Sequence, residues 1–275
     1  MKATVLGASG FIGRNIVRHL RGKSYDVTMP GRAELATLAG DLGHVFYCIG
    51  MTGNFRKYPL ATVEAHAGLL ARLLETTSFE SFLYFSSTRI YGQASGCEET
   101  AEDAPIGVTP SADTTYDLSK MLGEALCLAT PGVRVVRLSN VYGPDQSQST
   151  FLGSLLRDLL TAGRAEILES AGSSKDYVSV EDVVAMAERI AQSGRQRIYN
   201  IASCTQTRHG DIARTLKQEG YSCSFRPGGA CRAFPAINIA RLQSEFDFSP
   251  RKLIEDLPSL LRMAGNGPTY SGVEQ

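Results

Sequence analysis

Tyr116 and Lys120 stand four residues apart in the run Thr115–Ala129, whose apolar residues Leu118, Met121, Leu122, Ala125, Leu126 and Ala129 recur at helical spacing. A helix places residues i and i+4 on one face, so the phenol and the ammonium project together. A free phenol titrates near ~10, too high to exchange a proton easily at neutral pH. A neighbouring ammonium favours the phenolate and lowers that value. A shift of about three units takes roughly 4 kcal/mol of differential interaction. The outcome would be a general acid or base near working pH. Most Tyr–Lys pairs at this spacing lie on a solvated helix face. The pair gains meaning only from the elements that would hold it at a binding edge.

Those elements can be traced along the chain. Residues 3–6 form a short apolar run ended by glycine, which reads as a buried strand. Gly7-Ala8-Ser9-Gly10-Phe11-Ile12-Gly13 follows, and then a helical pattern through Ile16, Val17 and Leu20. Strand, glycine turn and helix is the setting of a dinucleotide loop: glycines let the backbone approach a pyrophosphate, and the helix N-terminus offers free N–H groups. Gly7, Ser9, Gly10, Phe11, Ile12 and Gly13 are the expected contacts, with the spacing G-x-x-G-x-x-G. Residues 26–29 read as the second strand. An NAD enzyme usually places an acid near its end for the ribose 2′-hydroxyl. This chain has Pro30-Gly31-Arg32 there, and a guanidinium suits a 2′-phosphate. NADP(H) is therefore favoured over NAD(H), the plain alternative being that Arg32 is an exposed loop residue.

Residues 44–49 read as another strand, closed by Gly50-Met51-Thr52-Gly53, which makes Ile49 and Gly50 expected cofactor neighbours. The interval after Arg32 is tight for a full strand and crossover, so a third strand is reduced to the region of Gly40-Asp41-Leu42. A helix is expected over 60–76 and a strand over 82–85, with Ser86-Ser87-Thr88 at its C-terminal end, the edge where open α/β sheets bind ligands. A further strand covers 133–138. Alternating strands and helices predict an α/β fold, a Rossmann-type doubly wound parallel sheet. Beyond Pro144 the pattern predicts a helix over 151–160, strands over 177–180 and 197–201, a helix over 183–190, and a Pro/Gly-rich turn at Arg226-Pro227-Gly228-Gly229. Residues 1–148 with 176–203 are read as the dinucleotide-binding domain. Residues 149–175 with 204–264 are read as a small α+β substrate lobe, and 265–275 as a loose tail.

Composition narrows the function classes. Apolar residues make up 43% and charged residues 20%, as in soluble globular proteins. Lys plus Arg and Asp plus Glu both number 28, so no basic field advertises nucleic acid. No apolar run is long enough to span a bilayer, and no membrane partner is expected. The first residues turn at once into the glycine loop without the long apolar region of a signal peptide, so a cytoplasmic setting is expected. The six cysteines form no Cys-x-x-Cys pair and read as free thiols. His19, His44, His66 and His209 show no metal-ligand spacing, so no metal is expected.

Taken together, several stretches resemble the extended short-chain dehydrogenase/reductase family, also called the NAD-dependent epimerase/dehydratase family. They are Gly7, Gly10 and Gly13; Ser86-Ser87-Thr88-Arg89-Ile90-Tyr91-Gly92; Tyr116 and Lys120 with Glu124; Arg137-Leu138-Ser139-Asn140-Val141-Tyr142-Gly143-Pro144; Lys175-Asp176-Tyr177-Val178-Ser179-Val180-Glu181-Asp182-Val183; and Tyr199-Asn200-Ile201. The resemblance implies roles. Ser87 would hydrogen-bond the substrate carbonyl or hydroxyl, Tyr116 would exchange the proton, and Lys120 would bind the nicotinamide ribose and lower the phenol's pKa. Leu138 would meet the carboxamide through its backbone. Asn140, Lys175 and Arg226 would contact the phosphates of a nucleotide sugar, with surface charges the plain alternative for Lys175 and Arg226. The resemblance also opens a homodimer.

Departures from the family pattern narrow the reaction. The sugar dehydratases of this family follow the catalytic Ser/Thr with Asp and Glu; here Thr88 and Arg89 stand there, and arginine cannot serve as the base. These two residues would face the substrate instead. The combined epimerase-reductases carry a cysteine at the Arg89 position, and it is absent. The leading expectation is an NADP(H)-dependent reductase of a keto group, on a 4-keto nucleotide sugar. The alternatives are a nucleotide-sugar epimerase with recycled NAD, a ketone of another class as substrate, and a non-catalytic NADP(H)-binding sensor.

Overall fold

The computed structural model describes residues 1–266. In chain order its elements are β1 (Lys2–Leu6), α1 (Phe11–Gly22), β2 (Asp26–Thr28), β3 (Gly40–Asp41), β4 (His44–Tyr47), α2 (Pro59–Val63), α3 (Leu69–Thr76), β5 (Thr77–Ser78), β6 (Ser81–Ser87), α4 (Thr115–Ala129), β7 (Val133–Leu138), β8 (Asn140–Tyr142), α5 (Phe151–Ala162), β9 (Arg164–Ile167), β10 (Ser174–Ser179), α6 (Val180–Ser193), β11 (Ile198–Ile201), β12 (Gln206–Arg208), α7 (His209–Gln218), β13 (Ser222–Phe225), α8 (Ala240–Phe246) and α9 (Leu253–Asn266). The tail expected at 265–275 lies outside the described residues, apart from the two that end α9.

Six strands form one parallel sheet in the order β11-β7-β6-β4-β1-β2. Its inner strands are apolar almost throughout because both faces are covered. On one face Ile16, Leu20, Val183, Ala187 and Ile190 of α1 and α6 pack on Val5, Leu83 and Val136. On the other, Leu70 and Leu73 of α3 and Cys127 of α4 pack on Tyr47, Phe82, Tyr84 and Val135. Full burial of each of the valine, leucine and isoleucine side chains here is worth about 1.5–3 kcal/mol. Helices on both faces make this the doubly wound architecture that the alternating pattern predicts. Because all six strands run the same way, the ends of β1, β4, β6, β7 and β11 open on one edge. There the register sets Ser87 beside Leu138 and Leu138 beside Ile201.

Two local features depart from the sequence reading. The third strand is present as β3, but it pairs with β5 as a separate two-residue ribbon rather than joining the sheet. The helix expected over 60–76 is interrupted by a π-turn at Glu64–Gly68, between α2 and α3. Two carbonyls of that wider turn are engaged from the sheet: Tyr47 donates to Ala65 O at 2.7 Å and Tyr84 to His66 O at 3.1 Å. Such turns often mark functional sites.

The C-terminal part holds a three-stranded sheet, β12-β10-β8, and the pair β13-β9. Leu152, Leu155, Leu156 and Leu159 of α5 form a third cluster with Ile212 and Leu216 of α7 and Leu257 and Leu260 of α9. α5 has a sharp start and stop: the Thr150 hydroxyl accepts from Gly153 N at 3.1 Å, and Gly163 closes it at φ 68°. Among the described residues no helix is long and apolar enough to cross a membrane. The six cysteines are free.

Candidate active site

The glycine loop lies between β1 and α1 at the sheet edge. Gly7 has φ +82°, and a Cβ there would come within 2.9 Å of the Cys48–Ile49 backbone. A Cβ on Gly13 would stand 2.2 Å from the Gly7 carbonyl oxygen. Only glycine permits this approach of the first helical turn to the loop. No side chain caps the N-terminus of α1 and no acid lies in its first turn. Its free N–H groups and positive dipole end therefore suit a pyrophosphate. Gly7, Ser9, Gly10, Phe11, Ile12 and Gly13 fit such a group. Arg32 is exposed on the turn after β2. The sequence reading overlooked Glu34, whose carboxylate accepts from Gly31 N at 2.5 Å on the same turn. An acid thus stands near the position where its absence had pointed to a 2′-phosphate.

Ser87 ends β6, and its hydroxyl accepts from Arg89 N at 3.2 Å, capping the turn Thr88–Tyr91. Thr88 lies in that turn, half-buried. α4 brings Tyr116, 6% exposed, to the same place, where the Ser87 and Thr52 hydroxyls engage its phenol. The helical spacing predicts a lowered phenol pKa; here it is raised. Burial is the main cause, and Ser87, Arg89 and Thr52 only partly oppose it. Lys120 is 4% exposed and turns its ammonium to Phe85 O at 2.7 Å, 4.8 Å from the Tyr84 ring centroid. Burial lowers it to about 7, against the pull of Glu124, Cys127 and Cys48. The leading charges on the phenol are instead Arg89, which lowers its pKa, and Asp117, which raises it.

His66, in the π-turn, is fully buried beneath this group and was not among the expected site residues. Met51 N–H donates to its Nε2 at 3.2 Å, so the ring proton is on Nδ1, which meets Ser119 Oγ at 2.8 Å. Ser119 in turn donates to Tyr116 O at 2.8 Å. Burial, and then Lys120, lower His66 to about 3, so the ring is neutral at pH 7. The imidazole stands edge-on to the Tyr116 ring, with centroids 5.1 Å apart. A Cβ on Gly50 would lie 3.3 Å from His66 Nε2 and 3.5 Å from Lys120 Nζ, so the end of β4 meets the same cluster. A signal was present in the sequence: Thr62, His66, Leu69, Leu70 and Leu73 share one helical face, and a histidine on an apolar face needs partners.

α4 is held in place by a buried ion pair. Arg137 of β7 binds Glu124 through Nε at 3.1 Å and Nη2 at 2.7 Å, with side chains 5% and 6% exposed. Arg89 lies over the outer side of Tyr116. Its Nε donates to Asp117 Oδ1 at 2.9 Å.

The expected phosphate contacts are only partly brought together. Asn140 on β8 is exposed and donates to Asp176 O at 2.8 Å, tying β8 to β10. Lys175 on β10 is half-buried with its ammonium 5.1 Å from the Phe151 ring centroid. Burial lowers its pKa, opposed by Glu169. Next to it lies His209, stacked on Phe151 at 4.1 Å, with neither ring nitrogen hydrogen-bonded. Arg226 is placed differently: it is exposed and paired with Glu166 at 2.8 Å across the β9–β13 ribbon.

Comparison with known proteins bears on the fold and the family. A Streptomyces protein named dTDP-4-dehydro-6-deoxy-D-allose reductase is 25% identical, with 94% of each chain covered. Among solved structures, RMD from Pseudomonas aeruginosa complexed with NADPH superposes with a TM-score of 0.79 at 22% identity, covering 97% of this chain and 100% of that one. UDP-glucuronic acid 4-epimerase from Bacillus cereus, in complex with UDP-glucuronic acid and NAD, superposes at 0.75 with 19% identity, covering 96% of this chain and 99% of that one. At these identities the structural likenesses speak for the fold. The sequence itself matches a family description over residues 3–202, which span the glycine loop, the Ser87 turn, α4 and the sheet through β11. This chain belongs to the NAD dependent epimerase/dehydratase family.

Proposed function

We propose that this chain is an NADP(H)-dependent oxidoreductase that reduces the keto group of a 4-keto nucleotide sugar. The observation that carries the reading is Arg89, fixed to Asp117 beside Tyr116. A guanidinium stays protonated and removes no proton from a substrate. At that position the edge thus offers a cation and no base for eliminating water. Ketone reduction needs no such base: it needs a donor aimed at the developing alkoxide and an acid beside it.

Gly7, Ser9, Gly10, Phe11, Ile12 and Gly13 would hold the cofactor's pyrophosphate, Arg32 its 2′-phosphate, and Ile49, Gly50 and Leu138 its nicotinamide end. When bound, NADPH supplies the hydride for the carbonyl carbon. The Ser87 hydroxyl would donate to the carbonyl oxygen and Tyr116 would release its proton to it. A raised phenol pKa keeps that proton in place at neutral pH, which suits the reductive direction. Lys120 would turn from Phe85 O to the ribose hydroxyls. Thr88 and Arg89 would face the sugar, and Asn140 and Lys175 its diphosphate, joined by Arg226 once released from Glu166. The name of the Streptomyces relative, a reductase of a 4-dehydro sugar, supports the same class.

The test is to mix the purified protein with a dTDP-4-keto-6-deoxy sugar and NADPH and to follow cofactor absorbance and sugar product together. One NADPH oxidised per sugar reduced supports the reading. Tightly carried NAD⁺, with sugars interconverted and no net cofactor use, would replace it with a nucleotide-sugar epimerase.

A further inference from the structure

Arg89 has one defined place. Its Nε donates to Asp117 Oδ1 at 2.9 Å and its Nη2 to Asp113 O at 3.4 Å. Its guanidinium carbon lies 5.5 Å from the Tyr116 ring centroid and 5.0 Å from that of Phe55, itself 5.5 Å from Tyr116. Phe55 is 3% exposed and carries Arg56 on its ring at 4.5 Å, and Arg56 is tied to Asp113 at 2.5 Å. The Asp117 carboxylate, the Asp113 carbonyl and the rings of Phe55 and Tyr116 thus hold one guanidinium beside the phenol.

We infer that Arg89 is a positioning residue whose guanidinium, locked by Asp117 over the Tyr116 ring, stabilises the phenolate and so sets how readily Tyr116 releases its proton. This rests on the reading of Tyr116 as the acid. A cation above an aromatic face and within a few ångströms of a phenol favours the charged form. Arg89 is 38% exposed in its side chain, so water screens part of its field.

The other groups facing Tyr116 do not replace it. Asp117, on the same helix, acts with opposite sign. Lys120, one turn on, points its ammonium at Phe85 O. His66, from the π-turn, is neutral. From the segment after β4 come the Thr52 hydroxyl and the Phe55 ring, with the Arg56 charge engaged by Asp113; from the end of β6 comes the Ser87 hydroxyl. Burial drives the phenol upward, and Arg89 is the leading charge that limits the rise. A phenol held too high would yield its proton too slowly to a nascent alkoxide.

The experiment installs difluorotyrosine at position 116, whose fluorines bring the phenol's titration toward neutral pH, and reads its midpoint by fluorine NMR without substrate. Against that background Arg89→Gln is expected to raise the midpoint by about one unit, and Arg89→Lys by less. Asp117→Asn, which keeps an acceptor for Arg89 but removes the charge, is expected to lower it. An unmoved midpoint in Arg89→Gln, or Arg89→Gln and Asp117→Asn moving together, would overturn the inference. Turnover of Tyr116→Phe separates the two claims. An inactive Tyr116→Phe with unmoved midpoints removes Arg89 alone. Retained turnover removes the acid role of Tyr116 and leaves the midpoint shifts standing.

Discussion

The Lys120 ammonium is held by one carbonyl and one aromatic face, which does not offset its burial. Its pKa of about 7 lies below the 10.5 of an unhindered lysine. Between those values the unfolded chain binds a proton that the folded chain lacks, so this residue makes stability rise with pH from about 7 to 10.5. Lys120→Met is expected to flatten that rise, read as the difference in urea-unfolding free energy between pH 7 and pH 9; an unchanged slope would mean the lysine is charged in the fold. His66 has the same sign over about 3 to 6.5, losing stability as pH falls. For Arg32, removal of a charge-assisted contact predicts that Arg32→Ala weakens NADPH about tenfold or more while sparing NADH, by fluorescence titration. Equal loss for both would mean that Arg32 does not read the 2′-phosphate. That Ser87 ends a strand and that Tyr116 and Lys120 share a helix was legible, because residue type and spacing are local properties. Glu34 was not, because its meaning lies in Gly31 N–H, and His66 was legible only as a histidine on an apolar face, since its partners Met51 and Ser119 are supplied by the fold.

At the scale of elements, α4 is the part on which the site depends. Its bounds follow from its apolar period, but its setting does not. The buried Arg137–Glu124 pair locks it to β7. Breaking such a pair strands a buried charge, so Glu124→Ala is expected to cost about 3–5 kcal/mol in urea unfolding. A loss under about 1 kcal/mol would mean that Arg137 finds another acceptor. The glycine loop was equally readable, since strand, glycines and helix are adjacent in sequence. The π-turn was not, because nothing local distinguishes it from α-helix; it is visible only through Tyr47 and Tyr84 reaching in from the sheet. The ribbon β3–β5 was half legible: the chain after Arg32 is too short for a crossover, but its partner Thr77–Ser78 lies far along the sequence.

Across the whole molecule, the parallel sheet gathers residues from distant segments on one edge, and β8 with β10 carries Asn140 and Lys175 beyond it. Fold class was legible from alternation of periods. The β8–β10–β12 sheet was not, because it pairs short segments far apart in sequence. Nor was the Arg226–Glu166 pair across β9 and β13. If Lys175 holds a diphosphate, Lys175→Ala raises KM for a nucleotide sugar about tenfold or more with little change in kcat. An unchanged KM would point to a substrate without phosphates. The central claim is that Tyr116 gives the proton in an NADPH-dependent reduction. Its most direct test is single-turnover NADPH oxidation with a dTDP-4-keto-6-deoxy sugar, comparing wild type with Tyr116→Phe at matched cofactor occupancy. The account predicts a rate lower by about 10²–10⁴-fold in the variant with NADPH still bound. An equal rate in the two proteins would contradict it.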